Sequence, residues 1–170
     1  MKIGRITISD RASTGIYADQ SGPAIEQILR EALDSEALFE SAVIPDEPEL
    51  ISAKLRELAD ERRCDLIVTT GGTGISSRDV TPEATRAVLE KELPGFGEIM
   101  RTQSFARVRT AILSRAVAGT RGTTLIVNLP GKPSAVAECL AVLVDAIREG
   151  VAHLHNEDPH QPKPALPTQH

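Results

Sequence analysis

The segment Asp65-Leu66-Ile67-Val68-Thr69-Thr70 constrains the fold more than any other part of the chain. It is short, β-rich and free of charge after Asp65, and it stops at Gly71-Gly72-Thr73-Gly74. A strand with one wet face alternates apolar and polar residues. This one does not alternate, so it reads as a central strand covered on both faces. Such strands belong to parallel sheets, whose crossover helices supply the cover.

The remaining pattern agrees. Residues 2–9 alternate as a strand through Ile3, Ile6 and Ile8, and residues 38–44 read as a second. Helical spacing aligns Ile25, Ile28, Leu29, Ala32 and Leu33, and later Ile51, Leu55 and Leu58. Thr81-Pro82-Glu83 reads as a helix start with Thr81 as N-cap, and Pro94-Gly95 precedes a stretch carrying Phe96, Ile99 and Met100. Residues 114–121 and 123–129 flank Gly122 as a hairpin, which brings one antiparallel strand. A long helix follows, with Val136, Cys139, Leu140, Leu143 and Ile147 on one face. Strands alternating with helices predict an α/β fold: three α/β/α layers around a mainly parallel mixed sheet. Residues 1–155 form one domain in this reading. Residues 156–170, rich in Pro and His, predict a polar, disordered tail. His153, His155, His160 and His170 belong to that solvated end rather than to a metal tract.

Composition narrows the function. The net charge of −5 argues against a general nucleic-acid or anionic-membrane binder, and 2% aromatics leave little surface for stacking bases. No stretch is long enough to span a membrane, and the N-terminus reads as a strand, not a signal peptide. Cys64 and Cys139 have no metal or CxxC spacing and read as buried thiols. A cytoplasmic protein is the expectation.

In open α/β sheets, ligands bind beyond the carboxyl ends of the strands. Four loops leave those ends: residues 9–15, 45–48, 71–81 and 128–134. Gly71, Gly72 and Gly74 let the backbone turn several N–H groups inward, a concavity suited to phosphate, and Thr73 adds a hydroxyl. The spacing is neither Walker A nor Rossmann, and a plain strand-to-helix turn is the competing reading. Asp46 and Asp79 leave different strands for the same crevice. Two carboxylates beside a polyphosphate call for a cation between, and Mg²⁺ takes one or two carboxylates plus substrate phosphates. Asp46 also has capping-box spacing to Glu49, and Asp79 suits an Asx-turn. Ser9, Arg11, Arg78 and Lys132 flank the crevice, Pro130-Gly131 makes a rigid turn, and Ser114, Asn128 and Ser134 offer hydrogen bonds.

Several segments, in order, carry a resemblance. They are Ile8-Ser9-Asp10-Arg11-Ala12-Ser13, Ile44-Pro45-Asp46-Glu47, Thr69-Thr70-Gly71-Gly72-Thr73-Gly74 and Arg78-Asp79-Val80-Thr81-Pro82-Glu83-Ala84-Thr85. Further on come Pro94-Gly95-Phe96-Gly97-Glu98-Ile99-Met100-Arg101, Ala111-Ile112-Leu113-Ser114-Arg115 and Asn128-Leu129-Pro130-Gly131-Lys132-Pro133. Together they resemble the molybdopterin adenylyltransferases, relatives of the N-terminal domain of gephyrin. The resemblance implies transfer of AMP from ATP to molybdopterin with release of pyrophosphate. It makes Asp46 and Asp79 the essential aspartates, with residues 71–74 as the phosphate loop. It implies a homo-oligomer, trimeric with hexamers among close relatives, and a transient molybdotransferase partner. A non-catalytic molybdopterin carrier on the same fold is the alternative.

Overall fold

The computed structural model describes residues 1–157. The predicted tail therefore lies, beyond Glu157, outside the described residues. The elements are β1 (Lys2–Ile8), α1 (Asp10–Ser13), α2 (Ser21–Ala32), β2 (Leu38–Ile44), α3 (Pro48–Arg56), β3 (Leu66–Thr70), α4 (Thr81–Arg86), β4 (Lys91–Glu92), α5 (Pro94–Phe105), β5 (Ala118–Arg121), β6 (Thr124–Leu129) and α6 (Pro133–Leu154). A π-turn over Glu57–Glu61 extends α3, and a 3₁₀ turn over Arg109–Leu113 follows α5.

One six-stranded sheet runs in the order β2-β1-β3-β6-β5-β4. The pairs β1–β2, β1–β3 and β3–β6 are parallel, whereas β5 is antiparallel to β6 and β4. The three-layer α/β/α expectation thus matches the fold, and β5 is the reversed strand of the Gly122 hairpin. Strand β4, two exposed residues, had no signal in the sequence.

The central strand explains the layers. All five residues of β3 are buried. Leu66 and Val68 point into a core shared with Ile25 and Leu29 of α2, Met100 of α5 and Val136, Leu140, Leu143 and Ile147 of α6. Ile67 points the other way, into a core with Ile51 and Leu55 of α3 and Ala84 of α4. The period-2 geometry of a strand divides its neighbours between the two faces in this manner. On β1, Ile3 joins the first core, while Ile6 and Ile8 join the second.

Chain order places the ligand crevice. From β1 the chain crosses to β2 on the face covered by α2, then returns through α3 on the opposite face to β3. The direction of winding reverses between β1 and β3, and the loops leaving these two strands separate there.

Candidate active site

The loop after β3 can only be made by glycine. Gly71 has φ +100° and Gly72 φ +62°, in the left-handed region. A Cβ on Gly71 would collide with the Ile8 carbonyl oxygen of the neighbouring strand, and one on Gly72 with the Thr81 hydroxyl. The loop is also stapled from α4. The Thr81 hydroxyl donates to the Gly71 carbonyl at 3.0 Å, and the Thr81 N–H to the Gly72 carbonyl at 3.1 Å. This corrects the N-cap expectation: Val80 occupies the cap position of α4, without a side-chain cap. The N–H groups of Gly72, Thr73 and Gly74 meet no protein acceptor among the described residues.

Two cavities meet at this loop. One, about 250 Å³, is lined by Ser9, Asp46, Gly71, Gly72 and Asp79. The other, about 530 Å³, is lined by Thr73, Gly74, Ser114, Pro130, Lys132 and Ser134. Gly131 lines both. The Pro130-Gly131 turn is held in place where its carbonyls accept from the Thr70 and Ser21 hydroxyls, each at 2.7 Å. Twelve sequence-predicted residues therefore gather around one loop.

Asn128 and Arg11 do not join them. Asn128 is fully buried in β6. Its amide N–H groups donate to the Thr69 and Thr85 hydroxyls at 3.0 Å, and its carbonyl accepts from the Val117 N–H. It fastens β6 to β3, α4 and the segment before β5 instead of offering hydrogen bonds to a ligand. Asn128→Ala strips partners from two buried hydroxyls and one N–H. The expected cost is about 1–3 kcal/mol, read as a lower melting temperature. Arg11 lies exposed in α1, outside both cavities.

Asp46 is not a helix cap. Glu47 holds the cap position of α3, and no side chain caps there. The Asp46 carboxylate instead accepts from the Asp10 N–H at 2.9 Å, and the Asp10 carboxylate accepts from the Asp46 N–H at 3.0 Å. This reciprocal pair clasps the loops after β1 and β2. Burial, opposed by the Asp10 N–H and reinforced by the Asp10 and Asp79 charges, pushes the Asp46 carboxyl above the ordinary aspartate range. Asp79 is turned back on its own loop: its carboxylate accepts from the Ser76 N–H at 2.8 Å. It makes no Asx-turn onto Thr81, whose N–H goes to Gly72. Arg78 forks onto Asp10 at 3.0 and 2.8 Å and reaches Glu47 at 3.2 Å, which holds the Asp10 carboxyl below its usual range. Arg78 thus closes the clasp and is not a free phosphate ligand.

Sequence reasoning gave Arg115 no role. Its Nε donates to the Gly74 carbonyl at 2.6 Å and its Nη2 to the Asp79 carbonyl at 2.5 Å, while Nη1 pairs with Glu83. Its own N–H donates to the Thr73 carbonyl at 2.9 Å. A guanidinium carries five donors in a fixed fork, which suits it to tie together the carbonyls of an irregular loop.

No group of three or more His, Cys, Asp or Glu among the described residues suits a metal ion. What the site offers is two carboxylates, Asp46 and Asp79, on one cavity wall. Their mutual repulsion contributes to the raised Asp46 carboxyl. That donor set fits Mg²⁺ completed by ligand phosphates and water.

Residues 4–149 match the family described as the probable molybdopterin binding domain. The chain belongs to this molybdopterin-binding family. Among its relatives, the molybdopterin adenylyltransferase of Helicobacter pylori strain J99 is 52% identical over 145 residues, 85% of this chain and 82% of that one. The molybdopterin adenylyltransferase of Escherichia coli strain K12 is 50% identical over 153 residues, covering 90% and 78%. A solved structure of the molybdopterin biosynthesis enzyme MoaB from Thermus thermophilus superposes with TM-score 0.83 at 39% identity, over 92% of this chain and 97% of that one. Membership of the molybdopterin-binding family thus extends over both cavities and the loop between them. No helix among the described residues is long and apolar enough to cross a membrane.

Proposed function

We propose that the chain transfers the adenylyl group of ATP to molybdopterin and releases pyrophosphate. One observation carries the reading: three consecutive amides without a protein acceptor among the described residues, at Gly72, Thr73 and Gly74, lie where two cavities of different character adjoin. A reaction that joins two phosphate-bearing molecules needs such a meeting point. The relatives named molybdopterin adenylyltransferase support molybdopterin as the acceptor and adenylyl as the group transferred; ATP as its donor is part of the proposal.

In this reading the larger cavity takes the pterin, whose size suits about 530 Å³. Lys132 supplies positive charge there, and Ser114 and Ser134 supply hydroxyls. The cavity holding Asp46 and Asp79 takes the nucleotide phosphates. A terminal phosphate oxygen of molybdopterin forms a bond to the α-phosphorus of ATP. The α–β anhydride bond breaks, and its electron pair leaves with pyrophosphate. The nucleophile is already anionic near neutral pH, so the chain supplies no general base. Its residues position and neutralise: the loop amides hold phosphate oxygens, and Ser9 with the Pro130-Gly131 turn shapes the walls. Asp46 and Asp79 would hold Mg²⁺, which when bound offsets the charge of the phosphates. A cytoplasmic homotrimer, working beside a molybdotransferase, completes the proposal. Ile75, Val108 and Leu113 stand exposed at the rim of the larger cavity, the kind of apolar surface that a subunit contact covers.

The test is pyrophosphate release from ATP, Mg²⁺ and molybdopterin by the purified chain; binding of molybdopterin without ATP consumption would favour the carrier instead. The same assay has a predicted acid limb. Asp46 must be ionised to hold a cation, and its raised carboxyl keeps its proton to a higher pH than an ordinary aspartate. Activity at low Mg²⁺ therefore falls above the usual carboxylate range. More Mg²⁺ competes with the proton and moves the limb to lower pH. A limb indifferent to Mg²⁺ would remove Asp46 from this role. For stability, folding raises this carboxyl, so its contribution is fully present below the unfolded value. It is lost as pH rises through the folded value.

A further inference from the structure

A third cavity, about 340 Å³, lies near the β4 edge of the sheet and shares Arg101 with the larger cavity. Arg86, Arg101 and Arg115 line it, with Glu92 as the lining carboxylate and Ala116 and Val117 among its apolar residues. The chain as a whole carries a net charge of −5, so a cavity with three guanidinium groups stands out.

The three arginines are not equally occupied. Arg86 pairs with Glu92 at 3.3 Å. Arg115 is committed to Glu83 and to the carbonyls of Gly74 and Asp79. Arg101 has no carboxylate partner among the described residues. Its one hydrogen bond is a long one, 3.3 Å, to the Ser114 carbonyl. It is nevertheless half-buried and seated in a specific place. Gly97, one turn earlier in α5, makes the room: a Cβ there would come within 3.0 Å of Arg101 Nη1 and 2.7 Å of the Ala116 carbonyl oxygen. Glycine inside a helix is unfavourable, so its presence under this guanidinium is informative. A half-buried cation without a counter-charge, beside two others, lacks its anion.

We propose that this cavity binds a small multivalent oxoanion of the phosphate or diphosphate class. The planar guanidinium fork matches phosphate oxygens bidentately, and the volume holds two phosphoryl groups. Arg101 faces the anion from α5, and Arg86 meets it from α4 by giving up its exposed bond to Glu92. Because Arg115 lines the cavity and grips the Gly74 and Asp79 carbonyls, an anion here touches the scaffold of the active loop from behind. The site adjoins the larger cavity, which Arg101 also lines, whereas Arg86 and Glu92 line this cavity and not that one.

The test is calorimetric titration of the full chain with pyrophosphate, without Mg²⁺. Wild type is expected to bind at this cavity. The R86Q/R101Q variant loses one bound equivalent per chain, R101Q alone weakens binding about tenfold or more, and R101K, which keeps the charge but not the fork, gives a smaller loss than R101Q. K132Q, altered in the larger cavity, keeps the equivalent that R86Q/R101Q loses. R86Q alone, altered at an exposed residue that lines this cavity and not the larger one, gives a smaller loss in the same direction without a change in melting; R86Q that binds like wild type would overturn the proposal by moving the anion to the larger cavity. Unchanged stoichiometry and affinity in R86Q/R101Q would overturn the proposal, as would wild type that binds no pyrophosphate. A loss in K132Q equal to that in R86Q/R101Q would also overturn it, by moving the anion to the phosphate loop.

Discussion

Asp79→Asn is expected to lower adenylyl transfer by on the order of 10²- to 10³-fold while the protein melts close to wild type. The substitution is a clean removal of charge. The Asp79 carboxylate accepts one hydrogen bond, from the Ser76 N–H at 2.8 Å, and an asparagine carbonyl can accept the same bond. Arg115 holds residue 79 by its backbone carbonyl, which the change leaves alone. The loop should therefore keep its shape and lose half of its carboxylate pair. Asp46→Asn is parallel, since an amide oxygen can still accept from the Asp10 N–H. Each protein needs three measurements: product formed from ATP, Mg²⁺ and molybdopterin, melting temperature, and affinity for the pterin. Low turnover with intact melting and pterin binding supports the charge role. Turnover near wild type in Asp79→Asn sinks it. Asp79→Ala is a poorer probe, because the Ser76 N–H then loses its acceptor and the loop can relax.

The parts of this molecule that were legible in the sequence are those governed by near neighbours along the chain. The unbroken apolar run of β3 needed helices on both faces, and the stripe through Val136, Leu140, Leu143 and Ile147 had to be a helix on a core. Strand β2 falls on the residues expected from pattern alone. The misreadings share one cause. Thr81 stands before a proline as caps do, so local rules assigned it to a helix end, and the capping-box spacing of Asp46 left that reading open beside the catalytic one. Their actual partners are distant in sequence: Asp10 is 36 residues from Asp46, and Gly71 is 10 from Thr81. The same holds for Asn128, whose side chain spans 59 residues to Thr69, and for Arg115, which reaches back 41 to Gly74. Periodicity contains no such information. A polar residue near a strand end looks alike whether it faces a ligand or fastens another loop; only the packed arrangement distinguishes them. Strand β4 escaped because two exposed residues, Lys91 and Glu92, carry no alternation to detect.

Gly71→Ala is expected to damage stability and activity together, in contrast to substitution at a glycine elsewhere. Residue 71 has φ +100°, a region that side chains rarely adopt, and holding alanine there costs about 1–3 kcal/mol. The added Cβ also meets the carbonyl oxygen of Ile8, which is backbone of the adjacent strand and cannot swing aside as a side chain would. Either β1 and β3 separate at their carboxyl ends, or the loop leaves its left-handed conformation. The first outcome moves Ser9 and the Asp10–Asp46 clasp; the second turns the free amides of Gly72, Thr73 and Gly74 away from the cavities. Melting should fall by at least about 2 °C, and turnover by about 10²-fold, the loss that a displacement near 1 Å can produce. Gly95→Ala is the control. Gly95 is exposed at the start of α5, and a Cβ there meets nothing within 4 Å. Alanine is the better helix former, so melting should hold or rise slightly and turnover should not change. If Gly71→Ala melts and turns over like Gly95→Ala, the loop does not depend on the left-handed glycine. The cradle assigned to residues 71–74 would then lose its structural basis.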